Sequence, residues 1–386
     1  MIYADYNATT PCDERVAEAL LPYFTREFGN PSSIYQLART AGKAVTAARE
    51  SVALLLGCFP DEVFFTSGGS ESDNWAIKGV AAALRKKGNH LITSKIEHHA
   101  VLNACKYLEK QGYEVSYLPV DSRGLVVPEV LSAAIRETTI LVTVMHANNE
   151  IGTIEPIREL AEIARSRNVL FHTDAVQTVG KIPVSVKDLG VDLLSFSGHK
   201  LYGPKGIGGL FIRKGVSLPP LIHGGEQEKG RRAGTENVPG IVGLGAAARF
   251  AMDEMGDEAV RVGRLRDRLE AGVRERIPEI IVNGHPEQRL FNTLNFCVRY
   301  IEGEGMLLHL DFEGICASSG SACTSGSLEP SHVLLAVGLP HETAHGSLRF
   351  SLGKYSTDED VEKILTVLPP IVERLRKMSP FWNQKA

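Results

Sequence analysis

The stretch Ser195-Phe196-Ser197-Gly198-His199-Lys200-Leu201-Tyr202-Gly203-Pro204-Lys205-Gly206 runs from an apolar segment into a glycine-rich turn that carries a lysine. An amine at a strand end, beside a histidine and hydroxyls, forms a Schiff base where its surroundings disfavour the ammonium and free the nitrogen to attack a carbonyl. Taken alone, Lys200 reads better as a surface lysine in a turn. Its neighbours decide the matter. Short β-branched runs at 63–66, 90–93, 114–118, 140–145, 169–172, 192–196 and 209–212 alternate with helical patterns, as at 157–167 where Leu160, Ala161 and Ala164 share a face. That alternation predicts an α/β fold with a mostly parallel sheet covered on both sides. Ligands of such sheets bind beyond the carboxyl ends of the strands.

Three further segments fall at those ends. Phe171-His172-Thr173-Asp174-Ala175-Val176-Gln177 closes a strand on a carboxylate. Asp174 suits a protonated pyridine nitrogen, which turns the ring of pyridoxal 5'-phosphate into an electron sink, and it suits a helix N-cap as well. Thr66-Ser67-Gly68-Gly69-Ser70-Glu71 leads a strand through a glycine pair into a helix start, where N–H groups, a hydroxyl and the helix dipole cradle a phosphate. No G-x-x-x-x-G-K-[ST] follows, so it is not a nucleotide P-loop. In Glu97-His98-His99-Ala100, a histidine can lie over an aromatic cofactor and exchange protons, or simply cap a helix. Each segment has a plain alternative; all four at the strand ends of one sheet point to one site.

From about residue 255 the texture changes. A charged helix is expected at 257–276, then short strands near 280–282, 293–297 and 315–317. A closing helix is expected near Ser356, which forms an S-x-x-E capping box with Glu359. The expectation is a large domain at 14–254, and a smaller α+β domain built from 1–13 and 255–386. The run Ser318-Ser319-Gly320-Ser321-Ala322-Cys323-Thr324-Ser325-Gly326-Ser327 has little to bury, which predicts a flexible loop across 318–330. Cys323 on such a loop has the access that thiol reactivity requires. Arg349, in Ser347-Leu348-Arg349-Phe350-Ser351, can clamp a carboxylate bidentately, with Asn149 as a second donor.

The 386 residues suffice for about two domains. At 43% hydrophobic and 23% charged, the composition is that of a globular protein. A net charge of -4 argues against a general nucleic-acid binder, and the basic runs at Arg213-Lys214 and Arg374–Lys377 read as solvated faces. No secretory signal and no apolar stretch of spanning length is present, so a cytoplasmic protein away from membranes is expected. None of the six cysteines forms a C-x-x-C pair, which suits free thiols in a reducing compartment.

Together these segments resemble the group I cysteine desulfurases of the NifS/IscS type, within the fold-type I, class V aminotransferase family of pyridoxal-phosphate enzymes. The resemblance runs from Tyr3-Ala4-Asp5-Tyr6-Asn7-Ala8-Thr9-Thr10-Pro11 and Gly29-Asn30-Pro31-Ser32-Ser33 to Leu348–Gly353. Its most specific motifs are Ser197-Gly198-His199-Lys200 and Gly320-Ser321-Ala322-Cys323. It implies a large domain with a seven-stranded sheet and conversion of L-cysteine to L-alanine, with the sulfur passing to Cys323 as a persulfide. It further implies that Lys200 holds the cofactor, Asp174 pairs with the pyridine nitrogen, and Gln177 bonds the phenolic oxygen. His98 would stack on the ring and move protons. Gly69, Ser70, Ser197 and His199 would hold the phosphate, and Thr235 would reach the phosphate of a partner subunit in a homodimer. Asn149 and Arg349 would bind the substrate carboxylate, and a sulfur acceptor such as an iron–sulfur scaffold protein would take the product sulfur. Three departures stand out. Tyr35 replaces a histidine, Gly69-Ser70 replaces Ala-Thr, and the ending Ser379–Ala386 lacks the docking tail of housekeeping members, leaving the acceptor open.

Rival readings of the same residues are another class V reaction, such as transamination or selenocysteine lysis, a metal hydrolase using His98, His99, His172, Asp174 and His199, and a non-catalytic sulfur carrier. No H-x-x-x-H helix supports the hydrolase.

Overall fold

A computed structural model of the chain describes residues 1–319 and 329–382. Twelve strands are defined among them: β1 (Ile2–Tyr3), β2 (Val63–Thr66), β3 (His90–Ser94), β4 (Glu114–Leu118), β5 (Thr139–Thr143), β6 (Leu170–Asp174), β7 (Leu193–Ser197), β8 (Gly208–Ile212), β9 (Ile280–Asn283), β10 (Thr293–Val298), β11 (Ile315–Cys316) and β12 (Ser347–Ser351). Strands β2 to β8 form one sheet in the order β2-β8-β7-β6-β5-β3-β4. Only β8 runs against the rest, pairing antiparallel with β2 and β7. The parallel pairs are β3 with β4 and β5, β5 with β6, and β6 with β7.

The interior strands read as unbroken apolar or small-residue runs because helices cover both faces. Every residue of β2, β3, β5, β7 and β8 is buried. One face carries Trp75, Ile77 and Val80 of helix Gly69–Ala83 with Val101 and Cys105 of helix His99–Glu109. The other carries Val45 and Val52 of helix Gln36–Leu56, Leu160 of helix Ile157–Ser166, and Ile241 and Leu244 of helix Val238–Arg276. The seven strands lie within a residue or two of the expected segments.

Helix Val238–Arg276 starts far before the charged segment that marks it in the sequence. Its first half is rich in glycine and alanine, a composition poor in helix signals but suited to close approach. A Cβ on Gly245 would stand 2.5 Å from Ala48 Cα. The same helix then enters a second apolar cluster with Val262, Leu265 and Leu269, joined by Ala4, Phe296, Phe350 and Leu368. There β12, β10 and β9 form an antiparallel sheet, and β1 pairs in parallel with β11. The closing helix Asp358–Met378 is capped one residue later than expected. Thr357 and Asp360 form the capping box, while buried Ser356 accepts from Gly353 N–H through Oγ. Among the described residues, no helix is long and apolar enough to cross a membrane.

Candidate active site

Beyond the carboxyl ends of the strands lies a cavity of about 290 Å³. Gly69 and Ser70 reach it from the turn after β2, His98 from the turn after β3, Asn149 from the segment after β5, and Asp174 and Gln177 from the end of β6. Ser197, His199 and Lys200 enter from the end of β7, and Arg349 from β12. Every expected site residue therefore lines it except Thr235 and Cys323. Thr235 is exposed, three residues past Arg232, whose guanidinium bonds Glu71 in the first turn of helix Gly69–Ala83 at 2.8 Å. Cys323 lies outside the described residues. The ends of its segment are held near the cavity: Ser318 N–H donates to the Arg349 carbonyl and Arg349 N–H to the Ser318 carbonyl, at 3.1 and 2.7 Å. At the far end Ser331 caps helix His332–Ala336 and donates to Glu150, the residue after Asn149.

Lys200 closes a single 3-10 turn, Gly198–Lys200, and is 9% exposed. Its Nζ donates to the carbonyls of Asn7 and, at 2.7 Å, Ala8. The chain beyond it is pinned in the left-handed region at Tyr202, φ 60°, a conformation that costs a bulky residue of order 1 kcal/mol. Tyr202 offsets that strain by donating to Glu258 and accepting from Lys354 N–H at 2.7 Å. The amine thus stands on a rigid turn.

Asp174 is buried, and its Oδ1 accepts from Val176 N–H at 2.9 Å. Burial is the largest influence on it and pushes its carboxyl above the ordinary range; the Val176 bond and the nearby Lys200 charge pull the other way. Asp73, missed in the sequence, lines the same cavity from helix Gly69–Ala83 and is also pushed up, first by burial and then by Asp174. Two neighbouring buried carboxylates, both pushed up by burial, suit a positively charged group between the strand ends.

His98 is the N-cap of helix His99–Glu109 and a wall of the cavity at once, so the two readings of it coincide. Its Nδ1 accepts from Ala100 N–H at 3.2 Å, and burial, reinforced by Lys200, pushes it down to about 4. It is a neutral ring with Nδ1 engaged. His199 is likewise pushed down to about 4 by burial and by Lys200, and its Nδ1 lies 3.0 Å from Thr9 Oγ1. Gln177 donates through Nε2 to the Asn7 carbonyl at 2.9 Å. Asn7 was not expected in the site: its carbonyl accepts from Gln177 and Lys200, and its side chain bonds Thr293 and the Asn149 carbonyl, partners far apart in sequence.

The cavity fits pyridoxal 5'-phosphate on its own geometry. Helix Gly69–Ala83 starts with no side-chain cap on Gly68, whose φ of 154° favours glycine. A Cβ on Gly69 would come within 2.7 Å of Val176 Cγ2. The helix start is therefore held close against the strand ends with its N–H groups available to an anion. At the opposite side Arg349 donates to the Asn149 carbonyl at 2.9 Å and to Asp5 Oδ1 at 2.6 Å, while its buried Nε lacks a partner among the described residues. An unpaired guanidinium donor in such a place suits a carboxylate. A wider depression of about 500 Å³ lies around Arg49, Glu226 and Glu236, but its buried ion pair, Arg49–Glu228 at 2.7 Å, is already complete.

A strand-end lysine, a buried carboxylate and a helix-start cradle on this sheet define the class of fold-type I pyridoxal-phosphate enzymes. The chain belongs to the class-V aminotransferase family, whose model it matches over residues 2–364. It is 58% identical over 379 residues to the cysteine desulfurase IscS of Methanosarcina thermophila, covering 98% of this chain and 94% of that protein. To the cysteine desulfurase IscS of Clostridium botulinum strain Hall it is 56% identical, with 99% and 97% covered. A solved NifS-like protein superposes with TM-score 0.92 at 42% identity, covering 97% of this chain and all of that one. SspA in complex with cysteine does so with TM-score 0.81 at 38% identity, covering 92% and 100%.

Proposed function

We infer that the chain is a cysteine desulfurase, converting L-cysteine to L-alanine and passing the sulfur to Cys323. The observation that carries this reading is the meeting of Lys200, Asp174, the Gly69–Ser70 helix start and Arg349 in one cavity, together with the near full-length likeness to cysteine desulfurases.

When bound, pyridoxal 5'-phosphate supplies an electron-withdrawing ring that stabilises negative charge at the Cα of the amino acid. Lys200 holds it through Nζ, and Asp174 keeps its pyridine nitrogen protonated. Gly69, Ser70, Ser197 and His199 bind the phosphate, Gln177 donates to the phenolic oxygen, and His98 covers the ring. Arg349 and Asn149 take the substrate carboxylate. With the cofactor bound, Lys200 Nζ would be the base that takes the proton from the substrate Cα and later returns one to it. The Cys323 thiolate attacks the substrate sulfur: an S–S bond forms, the Cβ–S bond breaks, and Cβ is later protonated. L-cysteine and one thiol thereby become L-alanine and one persulfide.

The reading extends to a homodimer, in which Thr235 serves the partner's phosphate site, and to the cytoplasm. It also includes a large domain at 14–254, a small one from 1–13 and 255–386, and a sulfur acceptor such as an iron–sulfur scaffold. Incubation with L-cysteine tests the chemistry. L-alanine should appear in step with a Cys323 peptide heavier by one sulfur atom. Pyruvate or sulfide formed with an unchanged Cys323 peptide would overturn it.

A further inference from the structure

Lys181, in the turns that follow β6, is 7% exposed, and the roles assigned above do not use it. Its Nζ donates to Gln177 Oε1 at 2.9 Å and to Asn7 Oδ1 at 3.2 Å. Both acceptors are amide oxygens. The charged groups that face it are Lys200 beyond β7, Glu258 on helix Val238–Arg276 and Arg349 on β12, and of these only Glu258 opposes its charge. Burial, then Lys200, pushes its amine down to about 7. The anionic phosphate and phenolate of the cofactor oppose that push.

A lysine ammonium has three donors and no acceptor, so the side-chain amide of Gln177 can meet it only through oxygen. Its NH2 must then face the other way. There it shares the Asn7 carbonyl with Lys200 Nζ. Asn7 in turn ties this cluster to the Asn149 carbonyl at 3.1 Å and to Thr293 Oγ1 on β10 at 2.8 Å.

We propose that Lys181 is a positioning residue: held as an ammonium by the anionic groups of the bound cofactor, it locks the Gln177 amide with its N–H toward Lys200 and adds a positive charge near the lysine-bound cofactor. Both effects act in one direction. The donor stabilises the phenolate, and the charge disfavours a proton on the linkage nitrogen. That nitrogen is then ready to take the proton of an incoming substrate ammonium.

The test uses the cofactor-loaded protein and follows the visible absorbance band of the lysine-bound cofactor as pH is varied, so its readout is not turnover. Lys181→Met should move the midpoint of that titration upward by about one pH unit, the scale of one lost charge at short range. Lys181→Arg, which keeps the charge, should restore most of the shift. Should Lys181→Met fail to fold, as judged by its thermal melt, Lys181→Gln carries the same expectation, since it keeps a donor to Gln177 but no charge. A midpoint unchanged in the neutral variant overturns the inference, as does an arginine variant displaced as far as the neutral one. The inference rests on the cofactor reading. A wild-type protein with no titrating visible band overturns both, whereas a wild-type band with an identical variant titration overturns this inference alone.

Discussion

Arg349 on β12 donates to Asp5 Oδ1 at 2.6 Å, and its Nε stays buried without a partner among the described residues. Asp5 follows β1, so the orientation of this cavity arginine is set by the beginning of the chain meeting a strand near its end. The ion pair to Asp5 and the bond to the Asn149 carbonyl engage both terminal nitrogens, and on the proposed function they hold the guanidinium at the cavity wall for the substrate carboxylate.

Arg349→Lys should therefore lower kcat/KM for L-cysteine by roughly 30- to 160-fold, because a charge-assisted contact of roughly 2–3 kcal/mol is lost. Most of the loss should fall on KM. Asp5→Asn should weaken substrate binding less, since it frees the guanidinium without removing it. Steady-state kinetics over a cysteine series checks both.

Cys323→Ser should abolish alanine formation from L-cysteine while leaving the cofactor spectrum unchanged. The thiol accepts sulfur, and none of the cofactor contacts proposed for Lys200, Asp174 or Gly69–Ser70 passes through it. Single-turnover product analysis beside an absorbance spectrum separates the two.

Glu97 is fully buried and held at about 8, first by burial, although Ser94 Oγ–H and Met145 N–H donate to its Oε1. The folded state thus keeps a proton that the unfolded state has released above the ordinary range of about 4.5. The proton excess lies on the folded side, so stability should fall as pH rises between about 4.5 and 8 and then level off. Glu97→Gln should flatten part of that fall. Denaturant melts of cofactor-free protein at several pH values in this window measure it.

Gly245→Val should destabilise the fold by roughly 2–3 kcal/mol, the scale of overpacking in a closed core. The new side chain would meet Ala48, where a Cβ already stands 2.5 Å from Cα. Thermal melts should show a lowered Tm for this variant and little change for Gly256→Ala on the same helix, where a Cβ meets nothing within 4 Å.

Much of this was legible in the sequence because strands and their ends leave local marks. The β-branched runs located the seven-stranded sheet, and the hydroxyl- and glycine-rich turns after them located Gly69, Ser70, Asp174 and Lys200. What escaped was set by tertiary approach. Asn7 enters the site through its carbonyl and through side-chain bonds to Lys181, Asn149 and Thr293, all more than 140 residues away in sequence. Asp73 and Lys181 carry no local pattern that marks them as buried; their neighbours in the fold cover them. The first half of helix Val238–Arg276 carries Gly245 where it touches Ala48 and Gly243 where it meets Pro204 and Leu20, so its packing weakens its own helix signal. At the last helix, overlapping S-x-x-E and T-x-x-D patterns compete, and Thr357 caps because Ser356 is spent on Gly353.

On the proposed function Lys200 carries the cofactor, and a second buried lysine, Lys181, is bonded to the same residue, Asn7. Borohydride reduction of the loaded protein followed by peptide mass mapping tests it most directly. A pyridoxyl label on the peptide containing Lys200, lost in Lys200→Ala, is the predicted result. A label on the Lys181 peptide, or one that persists in Lys200→Ala, would contradict it.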